Sequence, residues 1–510
     1  MKFLSLLTTT VITFLMMVNA MNAASSEVAN DRTSSGNARI IELPIPSSPI
    51  ISFRILIRSG SVNDPAGKEG LNALTALMLS QGGTEELTYQ EIIQKLYPWA
   101  ATISVQYDKE YTVFLGQVHR DHLNAFYKVF SDLLLHPRFD STDFKRNKDL
   151  LLNYLENTLR GIDDENLGKQ ALNALLYRDH PYRTTEAGTV QGLKSVTLDD
   201  VKKFYATMYR QGNIMFGIAG GYPKDFLEHV RRDLAHLPEG ATAPLPLPAP
   251  KPIRGIEVML VQKDNRATAI SFGFPIDVTR SDEDFYPLMV ANSYLGEHRT
   301  FNGVLMNHMR GDRGLNYGDY SYIENFIQDG GSTFPVPNIV RRQQFFSVWI
   351  RPVVPANAHF ALRQAIRELQ LLVDNGLTAE QFEATRKFLI NYSKLWVQTQ
   401  SRRLGYMMDS ELYGIPYYID KIQEELSRLS VDDVNRAIKK HLQYKNIAVA
   451  MVVKDAEPLR QALLSNMISP ITYQSVPASK TILEEDKVIE LYPLNVTAVN
   501  IVPAREMFER

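Results

Sequence analysis

The sequence predicts an α+β protein of two homologous domains, each a mostly antiparallel β-sheet covered by helices, joined by a proline-rich linker. Three features carry this expectation. The stretch "SVTLDDVKKFYATMYRQGNIMFGIAGG" from 195 aligns without a gap to "RLSVDDVNRAIKKHLQYKNIAVAMVVK" from 428, placing Asp199-Asp200-Val201 on Asp432-Asp433-Val434. Such an internal match is the mark of a repeated unit. Between the two copies run prolines at 238, 244, 246, 248, 250 and 252, which exclude helix and sheet and favour a stiff, extended connection. Within each half, period-2 apolar stretches alternate with longer stretches of helical period.

In chain order, the first 24 residues, "MKFLSLLTTTVITFLMMVNAMNAA", read as a signal peptide. Lys2 supplies a minimal positive region, Phe3 to Val18 form an uncharged apolar run, and Val18-Asn19-Ala20 is a small-x-small cleavage site. Residues 1–20 are therefore expected to be removed. A first domain over 38–237 opens with a strand in "IISFRILIRSG", then a helix in "GLNALTALMLSQGGT" (70–84) that ends on a glycine pair. "ATISVQYDKEYTVFLGQV" reads as a hairpin and "HLNAFYKVFSDLLLH" as an amphipathic helix. In both copies of the repeat a Ser/Thr-plus-acidic N-cap precedes a helix and then an apolar strand. After the linker at 238–254, a second domain is expected over 255–465, and its "AISFGFPIDV" echoes the opening strand of the first. The tail at 466–510 is mixed polar and β-branched, compatible with an added strand pair or a surface arm.

The bulk numbers exclude several function classes. At 510 residues the chain exceeds what one hydrophobic core holds. Apolar residues make up 45%, charged residues 22%, and the formal charge is −2, which gives no footprint for nucleic acid or an anionic membrane. With no cysteine, disulfides, thiolate catalysis and cysteine metal sites are excluded. No later stretch is long and apolar enough to cross a bilayer. The expected location is outside the cytoplasm, most simply a bacterial periplasm, with no membrane contact after signal cleavage.

Three blocks, in order and correctly spaced, resemble the pitrilysin/insulinase family of zinc peptidases, which includes the mitochondrial processing peptidase. "RSGSVNDPAGKEGLNALTALMLSQGGT" keeps Gly60, Ser61, Pro65, Gly67, Gly70, Leu71, Gly83 and Thr84 in register with that family. "HPYRTTEAGTVQGLKSVTLDDVKKFYATMY" resembles the segment that follows in such proteins. "LMNHMRGDRGLNYGDYSY" resembles the family's Leu-Arg-x-x-x-Gly-Leu-x-Tyr signature.

The chain departs from the family where the metal would sit. Ala73, Ala76 and Leu77 fall at i, i+3 and i+4 on one helix face, where the family carries His-x-x-Glu-His. The third ligand, a glutamate further along, falls near Asn153 in "KDLLLNYLEN", beside Glu156. Zinc hydrolysis needs three protein ligands, an open position for water and a general base, and all four protein positions are lost together. No metal or other cofactor is therefore expected in this chain. Of ten histidines, His119 and His122 are three apart, and His229 and His236 are seven apart beside Glu228. Neither pair has a metal-site pattern, and both read as surface histidines.

In the second domain, Arg310 and Tyr317 fall on the family's C-terminal arginine and tyrosine, at the end of a helix and in the strand after it. The resemblance implies that this pair faces a zinc site across a closed chamber. There the tyrosine hydroxyl would donate to the oxyanion and the arginine would grip substrate carbonyls or carboxylates. Asp312 and Arg313 read as solvated turn residues, and Tyr320 and Tyr322 as facing away from Tyr317. The combination implies the non-zinc subunit of a two-chain peptidase. Its partner would be a zinc-motif paralogue, in a heterodimer or a dimer of heterodimers, with zinc held by that partner and unfolded peptides as substrates. The alternative is a catalytically inert structural or peptide-binding member of the same family.

Overall fold

The computed structural model describes residues 37–300, 302–328, 332–473 and 479–510; the expected signal peptide lies outside them. Two mixed β-sheets with helices against them form the architecture. The first holds β1 (Arg39–Pro44), β2 (Ile50–Ile57), β3 (Thr102–Tyr107), β4 (Thr112–His119) and β5 (Ile214–Gly220), in the order β1-β5-β2-β4-β3. The second holds β6 (Ile256–Gln262), β7 (Thr268–Ile276), β8 (Asp319–Tyr322), β9 (Gln344–Val353), β10 (Ile447–Val453) and β11 (Val496–Pro503), in the order β11-β6-β10-β7-β9-β8. Leaving out β11, the two orders coincide strand for strand. Among the described residues β1–β5, β6–β10 and β6–β11 pair in parallel; the other strand pairs there are antiparallel.

The repeat in the sequence is a repeat of caps as well as of strands. Helices Leu198–Met208 and Val431–His441 begin with the same reciprocal box: Thr197 and Ser430 accept from the backbone N–H of Asp200 and Asp433, whose carboxylates accept from the cap N–H. Each box satisfies two N–H groups that the first helical turn leaves without partners. The strands that follow, β5 and β10, are buried along their whole length.

The two halves exchange helices. Asp164–Leu176 of the first half lies on β7 and β10 of the second sheet, while Gln400–Tyr413 of the second half lies on β5, β1 and β2. Close approach needs small residues in the sheet: a Cβ at Gly217 would stand 2.6 Å from Met408 Sδ. At the seam Arg54 donates to Asn338 Oδ1 at 2.7 Å and to the Ser401 carbonyl at 2.9 Å. Arg341 grips Asp108 through two N–H groups and reaches Glu186 at 3.1 Å, and Lys109 pairs with Glu186 at 3.0 Å. Residues 238–254 form neither helix nor strand, as six prolines dictate.

Among its described residues the tail forms neither a strand pair nor a loose arm. It contributes helix Lys480–Ile489 and then β11, which adds in parallel beside β6. The last residues cross back to the first half. Val190 N–H donates to the Phe508 carbonyl at 3.0 Å and Gln191 N–H to that of Glu509 at 2.9 Å. Arg160 donates to the Met507 carbonyl at 2.7 Å and pairs with Glu509 at 3.0 Å. Met507 and Phe508 are buried, so the C-terminus fastens one half to the other.

Candidate functional site

The helix of the glycine-ended stretch spans Leu71–Gln81. Gly70 precedes it with φ of 105°, and a Cβ there would meet the Ala187 carbonyl oxygen at 2.6 Å; glycine alone takes that conformation without strain. The first turn is capped by Asp64, whose carboxyl accepts from the N–H groups of Gly70 and Asn72, both at 2.7 Å. Burial pushes this carboxyl up to about 7, against those two hydrogen bonds.

Ala73, Ala76 and Leu77 are buried in this helix, which packs against β3 and against helices Ser141–Asn153 and Leu198–Met208. From the facing helix, Asn147 points its amide at the Leu77 carbonyl and Met78 Sδ, each at 3.5 Å. Asn153 is exposed at the end of that helix and accepts from the Asn157 amide at 2.7 Å. The residues at the expected metal positions are therefore aliphatic or amide, and nearby Glu156 pairs with Lys194 at 3.2 Å; the set does not fit zinc. Among the described residues, no group of three or more His, Cys, Asp or Glu is placed to hold a metal ion. His119 pairs with Asp121, His122 stacks on Trp99, and His229 and His236 both turn to Asp233.

Arg310 and Tyr317 sit on one connected segment of the second half. Arg310 is half-buried on a widened helical turn, Met306–Gly311, in which Asp312 N–H donates five residues back to the Asn307 carbonyl at 2.8 Å. Such π-type turns recur at functional sites. Tyr317 lies in the bend before β8 rather than in a strand, because β8 starts at Asp319. Its side chain is 78% exposed. The bend is clamped from within: Asn316 donates to Asp319 Oδ1 at 2.7 Å and to the Arg351 carbonyl at 2.9 Å, and accepts from Gly318 N–H at 3.0 Å. A large hydroxyl-bearing ring is thus presented to solvent from a rigid bend, a conformation that strand periodicity could not foresee.

Three neighbours differ from expectation or sharpen it. Arg313 is a buried cation rather than a solvated turn residue. It donates to Asp486 at 2.7 Å, to Glu485 at 2.8 Å and to the His308 carbonyl at 2.8 Å. Its carboxylates come from the tail helix, far along the chain, which local sequence could not reveal. Tyr320 and Tyr322 are buried, with the Tyr322 ring 4.1 Å from that of Trp349. Burial raises the Tyr320 hydroxyl, against the pull of Arg351, Arg299 and Arg310.

Asp319, the anchor of the Tyr317 bend, is pushed up to about 8 by burial, and its Oδ2 has no hydrogen-bond partner. The fold therefore favours the neutral acid, while the unfolded chain releases this proton near pH 4. Stability from this group is full below about pH 4 and lost as pH rises toward 8. Asp319→Asn, neutral at every pH, is expected to raise the urea midpoint at pH 8 and to leave it unchanged at pH 4. Equal midpoints at pH 8 would mean that Asp319 is ionised in the folded chain.

The charges at the seam escaped sequence reasoning. The one signal was "YDKEY" (107–111), three charges inside an otherwise apolar hairpin; their partners Arg341, Glu186 and Arg342 lie in separate segments.

The model described as insulinase, peptidase family M16, matches residues 40–189, and that described as the peptidase M16 inactive domain matches residues 195–389. The chain belongs to the M16 family. Curated M16 relatives include the uncharacterized zinc protease YmxG of Bacillus subtilis, 22% identical over 82% of this chain and 97% of its own length. The non-peptidase homolog YmxG of Helicobacter pylori is 21% identical over 79% of this chain and 89% of its own. A solved peptidase M16 inactive domain from Pseudomonas fluorescens superposes with a TM-score of 0.72 at 19% identity, covering 88% of this chain and 98% of that one. The periplasmic protease PqqL of Escherichia coli superposes with a TM-score of 0.63 at 15% identity. In that case 90% of this chain covers 49% of the other. This M16 protein thus has the family fold and no metal-ligating side chain at positions 73, 76 or 77.

Proposed function

We infer that this chain is the non-zinc subunit of a two-chain exported zinc metallopeptidase. The observation that carries the reading is Tyr317, 78% exposed on a clamped bend, in a chain whose helix Leu71–Gln81 offers only Ala73, Ala76 and Leu77 at the metal positions. An exposed tyrosine held this firmly suits contact with something outside the chain. The coverage of the Escherichia coli protease is compatible with the same reading, since this chain matches 49% of that longer chain.

In this reading the partner is an M16 paralogue with His-x-x-Glu-His, which holds the zinc and the general base. The two subunits close around an unfolded peptide, as a heterodimer or a dimer of heterodimers. Tyr317 donates a hydrogen bond to the oxyanion that forms as water attacks the peptide carbonyl, and Arg310 holds a substrate carbonyl or carboxylate. A donor fixed before the reaction needs no reorganisation during it. Both subunits are exported, most simply to a bacterial periplasm. The second reading, an inert structural or peptide-binding member, draws on the Helicobacter pylori relative and its description as a non-peptidase homolog.

The test is association. Purified chain mixed with a zinc-motif paralogue from the same genome is expected to elute from a sizing column as one complex containing both. Separate elution across micromolar concentrations would rule out a two-chain enzyme with that paralogue.

A further inference from the structure

Where helix Asp164–Leu176 crosses the second sheet, a cavity of about 280 Å³ opens along the seam. One side of its wall is aromatic, from Tyr107 at the end of β3, Phe326, and Phe345 and Trp349 on β9, and the rest is largely polar. Lys169 projects into it from the helix. The ammonium rests 3.9 Å from the centre of the Trp349 ring and donates to Gln328 Oε1 at 3.2 Å.

The other charges of the cavity are already matched. Asp108 and Glu186 are held by Arg341 and Lys109. Glu165, one turn before Lys169, is held by Arg351 at 3.0 Å, and Asp163 caps the helix through the N–H of Asn166. The next carboxylate on the helix, Asp164, is taken by Lys263 at 2.6 Å, which leaves Lys169 with the neutral Gln328 acceptor. Burial lowers its ammonium to about 8, against the pull of Glu165 and Asp163. An ammonium on an aromatic face with one neutral acceptor keeps donors to spare, and a desolvated charge of this kind gains most from an opposite charge.

We propose that this cavity binds the C-terminal carboxylate of a peptide, the carboxylate pairing with Lys169 and the last side chain lying against Trp349, Phe345 and Phe326. The volume favours a chain end over an internal stretch, because it falls just under the range for small-molecule sites. The site lies on this chain alone and does not depend on a zinc-bearing partner.

The test uses a fluorescein-labelled hexapeptide of alanine and serine ending in leucine, followed by fluorescence anisotropy with the full chain. Three forms are compared: the free acid, the C-terminal amide, and an amide ending in aspartate. The free acid is expected to bind at least about ten-fold tighter than either amide, the worth of one charge-assisted hydrogen bond. Lys169→Met is expected to remove the difference, with Lys169→Arg keeping part of it. Equal binding of free acid and leucine amide by the wild type would overturn the proposal without recourse to any variant. So would a Lys169→Met protein that folds and still prefers the acid, or an aspartate amide that binds as tightly as the free acid.

Discussion

Arg341→Met is expected to lower the stability of the folded chain by about 3–5 kcal/mol, the cost of removing one member of a buried ion pair. Arg341 and Asp108 are 2% and 1% exposed and bonded through two N–H groups, one of them at 3.0 Å, and Glu186 shares the guanidinium at 3.1 Å. Taking the cation away leaves Asp108 charged and buried without its two hydrogen bonds, where the lost attraction far exceeds that of a surface pair. The effect falls on the seam, because Asp108 follows β3 and Arg341 precedes β9. Urea unfolding of Arg341→Met, Asp108→Asn and the double variant separates the pair from its surroundings. The double variant is expected to be more stable than the sum of the single losses. A loss below about 1 kcal/mol in Arg341→Met would place the pair with ordinary surface ion pairs.

Tyr317→Phe carries the second large effect, and it is on activity alone. In a complex of this chain with its zinc-bearing partner, removing the hydroxyl is expected to lower kcat about 10²–10³-fold, the range for one lost oxyanion donor. KM should change little, since the interaction is made in the transition state. The side chain is 78% exposed and its bend is held by Asn316 and Asp319, so the urea midpoint should stay where it is. An unchanged kcat would leave Tyr317 a surface residue and favour the inert reading.

The fold was legible in this sequence because its signals are local and doubled. The Asp199-Asp200 and Asp432-Asp433 boxes, the strands after them and the proline stretch each act over a few residues, and the repeat confirms one half by the other. The family followed from the spacing of Gly60, Gly70 and Gly83 with "RGLNYGDY", although the metal residues themselves are absent. What the sequence did not reveal depends on long-range contact. The tail's single β11 finds an edge beside β6, Arg313 finds Asp486, and Arg341 finds Asp108 across the seam; no local period encodes such partners. The family signature predicts a strand at Tyr317, while Asn316 and Asp319 hold it in a bend.

The most direct measurement of the central claim is peptide hydrolysis by three preparations: this chain alone, a zinc-motif paralogue alone, and the two mixed in equal amounts with zinc assayed on each. The account expects activity in the mixture only, with zinc confined to the paralogue. Full activity in the paralogue alone, unaffected by this chain, would contradict it.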